Sequence, residues 1–221
     1  MAAEKRLRGK DNAELAGYFN DSAGGGFGLI LLHEYWGLNA QIRSAADKFA
    51  QQGFVVFAPD LFRGKVATDA ASAEKLMRSL DWKEATVQIR HAVQALRARG
   101  PNVRVGVIGF CMGGAAALLA ASNILEIAAC VPFYGIPPDV GALGKIRAKV
   151  QGHYAQHDEW CSPERVNQLE QTFKKTGVAA EIYRYDAQHA FANDRRPEVY
   201  SAQNAELALS RAVAFLKANL S

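Results

Sequence analysis

Short apolar runs alternate with segments of helical periodicity along the chain. The runs have the length of strands and are mostly apolar at every position, which is typical of strands buried on both faces. They are Phe27 to Leu32, Phe54 to Ala58, Val103 to Gly109, Ile127 to Phe133, Lys149 to Ala155 and Ala180 to Tyr185. Helical periodicity is found in Gln41 to Gln51, Ala70 to Leu80, Trp82 to Arg99, Gly114 to Ser122, Pro163 to Lys175 and Val199 to Ala218. This alternation predicts a mainly parallel sheet with helices on both faces, a three-layer α/β sandwich.

Two connecting segments refine this arrangement. Glu14 to Phe19 has the character of a short strand, and the glycine-rich segment Asp21 to Gly26 follows it. Because this segment lies between that run and the first core strand, Phe27 to Leu32, it predicts a turn that joins the two as antiparallel edge strands. The connection from Gly135 to Lys149 is too short for a separate lid domain. We therefore expect a single domain spanning residues 1–221.

Composition and charge exclude several classes of protein. With 49% hydrophobic and 22% charged residues, the chain has the composition of a globular protein with a sizeable core. Its 26 basic and 22 acidic residues are scattered and form no basic stripe that could bind nucleic acid. No apolar run follows the amino-terminal residues, so we expect neither a signal peptide nor a membrane helix. These features predict a cytoplasmic protein, and we expect a monomer.

The cysteines and histidines do not indicate a metal site. The three cysteines Cys111, Cys130 and Cys161 form no CxxC pair and are odd in number, which favours free thiols over disulfides or zinc ligation. His153 and His157 lie four apart, but no third ligand stands nearby at a recognised spacing. We therefore expect neither a metal nor an organic cofactor.

The segment from Val103 to Gly114 carries the first indication of chemistry. A buried strand runs into Gly109-Phe-Cys-Met-Gly113 and then into an alanine-rich helix, which is the nucleophile-elbow pattern with cysteine as the nucleophile. The glycines leave room for a strained turn that aims the Cys111 thiol out of the sheet. The start of the helix would stabilise a thiolate, and the N–H of Met112 can face a developing oxyanion. The alternative is that Cys111 is a small core residue.

An activated thiol needs a base, and the base needs an acid that orients it. Asp158 follows the strand that ends near Ala155, and His189 follows the next strand, each before a helix. Both positions fall at the carboxyl ends of parallel strands, where open α/β sheets bind their ligands. Taken singly, Asp158 is equally well a turn carboxylate and His189 a solvated loop histidine. Their order and placement together favour a Cys-His-Asp triad.

Several segments share the pattern of one known family. They are His33 to Asn39, Ala58 to Phe62, Gly109 to Gly114, Phe133 to Gly135, Asp158 and Gln188 to Phe191. In this order, from about Phe27 to Leu216, the chain resembles the dienelactone hydrolase (carboxymethylenebutenolidase) family of α/β-hydrolases. The resemblance implies an α/β-hydrolase fold without a lid domain. It also implies Cys111 as nucleophile, His189 as general base and Asp158 as its orienting acid.

Further roles follow from the resemblance alone. Glu34 would be an additional carboxylate that helps to activate the thiol, and the N–H groups of Tyr35 and Met112 would form the oxyanion hole. Trp36, Tyr134, Phe191 and Asn193 are expected to contact the substrate.

The resemblance also bears on the substrate, which we expect to be a small carboxylic ester or lactone. Family members that open dienelactone hold its carboxylate with an arginine at the position of Asn193, and Arg195 and Arg196 lie close by. We therefore expect neutral esters to be cleaved in preference to anionic dienelactone. The alternatives are a thioesterase, a broad small-ester esterase and, from another class, a non-catalytic α/β-hydrolase-like binding protein.

Overall fold

The predicted α/β sandwich is present in a computed structural model that describes residues 2–8, 14–21, 24 and 26–221. The described part contains one sheet of eight strands. These are β1 (Ala3–Arg8), β2 (Glu14–Asn20), β3 (Phe27–Leu32), β4 (Phe54–Pro59), β5 (Val105–Phe110), β6 (Ile127–Phe133), β7 (Lys149–His157) and β8 (Ala180–Gln188). The helices are α1 (Ala40–Gln51), α2 (Ala70–Arg78), α3 (Trp82–Arg97), α4 (Met112–Asn123), α5 (Pro163–Thr176) and α6 (Ala202–Leu220), with a 3₁₀ helix over Gly141–Lys145.

The strand order is β1-β2-β4-β3-β5-β6-β7-β8, and β3 to β8 run parallel. β1 and β2 form an antiparallel pair at one edge, where β2 pairs with β4. The expected pairing of β2 with β3 is therefore wrong. The physical reason is that β3 already has β4 and β5 as its two parallel neighbours. Of the predicted turn, Ser22, Ala23 and Gly25 lie outside the described residues, and Gly24 N donates to Asp21 O at 3.0 Å.

Helices cover both faces of the sheet, as the apolar strands require. α1 and α6 pack on one face, and α3, α4 and α5 pack on the other. α4 is buried along almost its whole length, which explains why this alanine-rich segment has no polar face. The three-layer mainly parallel architecture is thus confirmed.

Element boundaries differ from the sequence predictions where tertiary contacts set them. α4 begins at Met112 rather than Gly114, because the helix starts directly after the elbow residue. α6 begins at Ala202 rather than Val199. The preceding residues belong to a loop that Ser201 N closes by donating to Phe191 O at 3.0 Å. Among the described residues, every helix is too short or too polar to cross a membrane.

Candidate active site

Cys111 occupies the strained turn between β5 and α4. Its φ of 54° and ψ of −119° place it outside the conformations that side chains ordinarily tolerate, and it is the amino-terminal cap of α4. A Cβ atom on Gly109 would collide with the backbone of Gly113, and one on Gly113 would collide with Leu32 O. The turn therefore needs glycine on both sides of Cys111, as the elbow pattern predicts.

The structure brings Cys111, His189 and Asp158 together at the carboxyl edge of the sheet. His189 Nε2 lies 3.2 Å from Cys111 Sγ, and His189 Nδ1 lies 2.8 Å from Asp158 Oδ2. The other carboxylate oxygen, Oδ1, accepts from the N–H groups of Trp160 and Cys161, both at 2.8 Å. These bonds fix the Asp158 side chain, which is fully buried. Asp158 in turn orients the His189 ring toward the thiol.

His189 is held in an environment that favours its charged form. Burial alone would lower the pKa of His189, but its hydrogen bonds with Asp158 and Cys111, and the negative charge of both groups, raise it to about 10. A protonated imidazole stabilises a thiolate beside it. His189 therefore presents a cationic ring to the side chain of Cys111.

Cys111 differs from the other two cysteines in its accessibility. The Cys111 thiol is partly exposed, whereas Cys130 and Cys161 are buried. Burial raises the pKa of both Cys130 and Cys161 well above the usual thiol range. A buried thiol that resists ionisation is a poor nucleophile.

Glu34 lies buried beneath the thiol-bearing edge, with 2% of its surface exposed. Tyr134 Oη donates to Glu34 Oε1 at 3.3 Å, and Asn193 Nδ2 donates to Glu34 Oε2 at 2.7 Å. Burial raises the pKa of Glu34, and the hydrogen bond from Asn193 is the largest influence opposing that rise. The carboxyl group is thus held by two donors.

The four residues expected to contact the substrate lie outside the lining of the cavity that opens at Cys111. Tyr134 and Asn193 are buried and donate to Glu34, and Phe191 is buried against the Tyr134 ring. Trp36 also does not line the cavity, and its ring packs edge-on against Tyr35 with ring centroids 4.7 Å apart. The sequence places these residues near the site, but whether each faces substrate or core depends on how its loop folds.

His33 braces the loop that carries Tyr35, a role that sequence analysis missed. Leu61 N donates to His33 Nε2 at 3.2 Å, so the proton of this ring is on Nδ1, which donates to Glu34 O at 2.7 Å. Burial lowers the pKa of His33, which keeps the ring neutral.

Within the described residues, neither Tyr35 N nor Met112 N donates a hydrogen bond. Both expected oxyanion donors are therefore available.

A cavity of about 370 Å³ opens above the thiol. It is lined by Glu34, Tyr35, Met77, Cys111, His157, Glu159, Trp160, Gln188, His189, Ala190, Arg196 and Val199. Trp160 is 64% exposed, and its ring centroid lies 6.4 Å from that of His189. Among the residues that the structure describes, Arg196 is the one Lys or Arg in the lining, and its Nε donates to Glu198 Oε1 at 2.8 Å. The volume suits a small molecule.

The histidines considered for a metal have other partners. His153 contacts Tyr185 and Gln151, and His157 Nε2 pairs with Asp186 Oδ1 at 2.8 Å. Across the described ranges, no group of three or more His, Cys, Asp or Glu side chains is arranged to hold a metal ion.

Comparison with known proteins adds independent information. The model of the dienelactone hydrolase family matches residues 15–220. Protein usf of Aquifex pyrophilus is 34% identical, and the match covers 94% of this chain and 95% of that protein. A protein of Aquifex aeolicus, provisionally named carboxymethylenebutenolidase, is 32% identical over 96% of each chain.

Solved structures share the fold. A crystal structure from Klebsiella pneumoniae, provisionally described as a dienelactone hydrolase, gives a TM-score of 0.88 at 22% identity over 98% of each chain. An esterase from Pyrococcus furiosus gives 0.72 at 20% identity, covering all of this chain and 94% of the esterase. At these identities the likeness shows a common architecture.

Proposed function

Because the chain belongs to the dienelactone hydrolase family and is therefore a carboxylic ester hydrolase, we propose that it cleaves a small ester or lactone through a thioester on Cys111. The observation that carries the proposal is the hydrogen-bonded series from Cys111 Sγ through His189 to the buried Asp158. This arrangement provides a nucleophile, a base and an orienting acid in one line.

Acylation begins when Cys111 Sγ attacks the acyl carbon and the carbonyl oxygen becomes an oxyanion. The N–H groups of Tyr35 and Met112 would stabilise that charge. As the carbon–oxygen bond of the ester breaks, His189 Nε2 gives its proton to the leaving oxygen. An ester releases an alcohol at this step, whereas a lactone leaves its new hydroxyl attached to the acyl group.

Deacylation uses the same groups in reverse order. Water attacks the thioester carbon while His189 Nε2 accepts a proton from it. The carbon–sulfur bond then breaks, which releases the carboxylic acid and returns the thiolate beside the protonated imidazole. Asp158 keeps its charge throughout and holds the ring in the orientation that both steps need.

The cavity lining bears on the charge of the substrate. Asn193, at the position where the resemblance would place a carboxylate-binding arginine, does not line the cavity and donates to Glu34. Arg196 enters the cavity from the same loop and is the group that would meet a carboxylate. Trp160 and Met77 offer apolar surface on other sides. We therefore treat neutral and anionic lactones as competing substrates to be compared directly.

The test is Cys111→Ala in the purified protein, assayed with neutral lactones, dienelactone, aryl esters and acyl thioesters. Alanine fits the turn but forms no thioester, so turnover and the acyl adduct detected by mass spectrometry should both disappear. Cys161→Ala is the matched control, because its thiol is buried and only its backbone N–H contacts Asp158. We expect this control to retain turnover.

Two outcomes would redirect the proposal. Inactivating alkylation that maps to Cys130 or Cys161 and spares Cys111 would overturn the mechanism. A kcat/KM for thioesters far above that for esters and lactones would favour the thioesterase alternative, which uses the same side chains.

A further inference from the structure

We propose that the Trp160 indole forms the subsite for the leaving group, so that esters with an aromatic ring on the leaving oxygen are the favoured substrates. The inference rests on the proposed function, in which Cys111 forms the acyl-enzyme, and it deepens that function by naming a substrate class. Trp160 is then a specificity-determining residue that contacts the substrate and transfers no proton.

Trp160 combines a fixed backbone with an exposed side chain. Its N–H donates to Asp158 Oδ1 at 2.8 Å, and the N–H of Cys161 donates to the same oxygen at 2.8 Å. The loop after β7 is therefore tied to the carboxylate of the triad. Trp160 is nevertheless 64% exposed and lines the cavity above the thiol. A tryptophan held at such a place offers a bound molecule a large, flat apolar surface.

The imidazole of His189 has two aromatic neighbours of different accessibility. Tyr134 packs edge-on against it with ring centroids 5.2 Å apart, and Tyr134 is fully buried. Trp160 lies 6.4 Å from it between ring centroids, with the ring planes inclined by 43°. Of these two neighbours, Trp160 lines the cavity and Tyr134 does not. The aromatic surface that a bound molecule meets beside His189 is therefore that of Trp160.

The proposed mechanism determines which part of an ester lies beside His189. In the tetrahedral intermediate the oxyanion faces the N–H groups of Tyr35 and Met112, whereas the leaving oxygen lies at His189 Nε2, which protonates it. A ring on the leaving oxygen is thus attached one bond from the atom that His189 protonates. The acyl chain is attached to the carbonyl carbon by a different bond. The leaving group is therefore the part of the substrate that we place against the indole.

The residues around Trp160 in the cavity lining favour a compact ring over a long chain. His157, Glu159 and Gln188 are exposed polar residues of this lining, and His157 Nε2 pairs with Asp186 Oδ1 at 2.8 Å. A single aromatic ring can stay within the apolar surface that one indole offers. A long alkyl chain would extend beyond it, into this polar surface.

The experiment compares kcat/KM for three esters that place a ring differently. Phenyl acetate has the ring on the leaving group, trifluoroethyl benzoate has it on the acyl group, and trifluoroethyl acetate has none. We expect Trp160→Ala to lower kcat/KM for phenyl acetate by about tenfold, the scale of one aromatic contact with the apolar area it covers. The values for both trifluoroethyl esters should change by less than about twofold, because neither has a ring on its leaving group.

A second measurement separates direct contact from an indirect effect on the triad. After the alcohol has left, phenyl acetate and trifluoroethyl acetate give the same acetyl-enzyme. Its hydrolysis, followed after rapid mixing, should therefore proceed at the same rate in the natural protein and in Trp160→Ala. Trp160→Phe keeps a ring and should recover most of the kcat/KM for phenyl acetate.

Leu125→Ala is the matched control. Leu125 is also 64% exposed, but it precedes β6 at the amino edge of the sheet and does not line the cavity. This variant should leave kcat/KM for all three esters unchanged.

A measurement without turnover uses phenol as the probe. Phenol bound at the indole should slow the alkylation of Cys111 by iodoacetamide in the natural protein, and it should protect Cys111 much less in Trp160→Ala. Equal losses for the three esters, a larger loss for the benzoate than for phenyl acetate, or unchanged values would overturn the inference. If the natural protein hydrolyses none of these esters, the proposed function fails, while protection by phenol still decides whether Trp160 forms an aromatic subsite.

Discussion

His189 and His153 are both largely buried, yet their surroundings shift their pKa values in opposite directions. Burial lowers the pKa of His153 to about 3, with the charge of Arg211 acting in the same sense. In His189 the same influence of burial is outweighed by Asp158 and Cys111, and the pKa rises to about 10. A charged neighbour, rather than burial, thus separates an imidazole suited to catalysis from one that packs.

The His153 network shows how a neutral ring is fixed. Gln151 Nε2 donates to Glu181 Oε2 at 3.0 Å, so Gln151 Oε1 accepts from His153 Nε2 at 3.2 Å. His153 Nδ1 then accepts from Tyr185 Oη at 2.8 Å. The ring is also stacked on Phe133, with centroids 4.4 Å apart. Both hydrogen bonds fit the neutral tautomer with its proton on Nε2. A second proton, on Nδ1, would remove the acceptor that Tyr185 Oη uses.

The largest expected effect separates the two histidines by activity. His189→Gln removes the base and should lower kcat/KM for an ester by about 10³-fold, within the range of general-base removal. His153→Gln should leave kcat/KM close to that of the natural protein, because His153 does not line the cavity. Steady-state kinetics on one substrate decides this. Equal losses in the two variants would show that His153 also serves the reaction.

Asp158→Asn should lower the pKa of His189 toward that of His153. It keeps the shape of the side chain but removes the charge that raises the pKa of His189, so the thiolate form of Cys111 should require higher pH. We expect kcat/KM to fall by about 10²-fold and the Cys111 alkylation profile to shift upward. Asp186→Asn is the control, since Asp186 pairs with the exposed His157. An alkylation profile that did not move would contradict the role of Asp158.

The smallest effect concerns stability. Above the unfolded pKa of about 6.5, His153 is neutral in both states and adds no pH dependence. As pH falls to about 5, His153 becomes protonated in the unfolded chain but stays neutral in the folded chain. This difference lowers the free energy of unfolding by about 2 kcal/mol. His153→Phe should make the free energy of unfolding, measured in urea at the two pH values, depend less on pH. An unaltered pH dependence in His153→Phe would show that His153 is charged when folded.

Backbone requirements explain which parts of the site the sequence could predict. Cys111 is identified by the glycines that its turn needs, and Asp158 and His189 by their places after β7 and β8. No such local requirement marks Arg196 or Trp160. Their side chains reach the cavity because two separate loops fold over it.

The same distinction holds for the fold. The strands β3 to β6 were predictable because each is apolar along almost its whole length. By contrast, the partner of β2 depends on which strand edges remain unpaired once the parallel strands have assembled. Asn193 is a similar case, since its inward orientation is set by the loop that follows His189.

The close packing around Gly113 limits local unfolding of the elbow. A Cβ on Gly113 would collide with Leu32 O, and one on Gly135 would collide with Cys111 O, so the elbow is wedged between the ends of β3 and β6. A segment packed this tightly cannot fray by itself, so the hydrogen-bonded amide protons of Cys111 and Gly114 should exchange with solvent only through cooperative unfolding of the sheet. The strained conformation of Cys111 is therefore maintained by this packing together with two hydrogen bonds, which Cys111 N donates to Phe133 O and Cys111 O accepts from Gly114 N. The reactivity of the thiol should then report on the folded population of the whole protein.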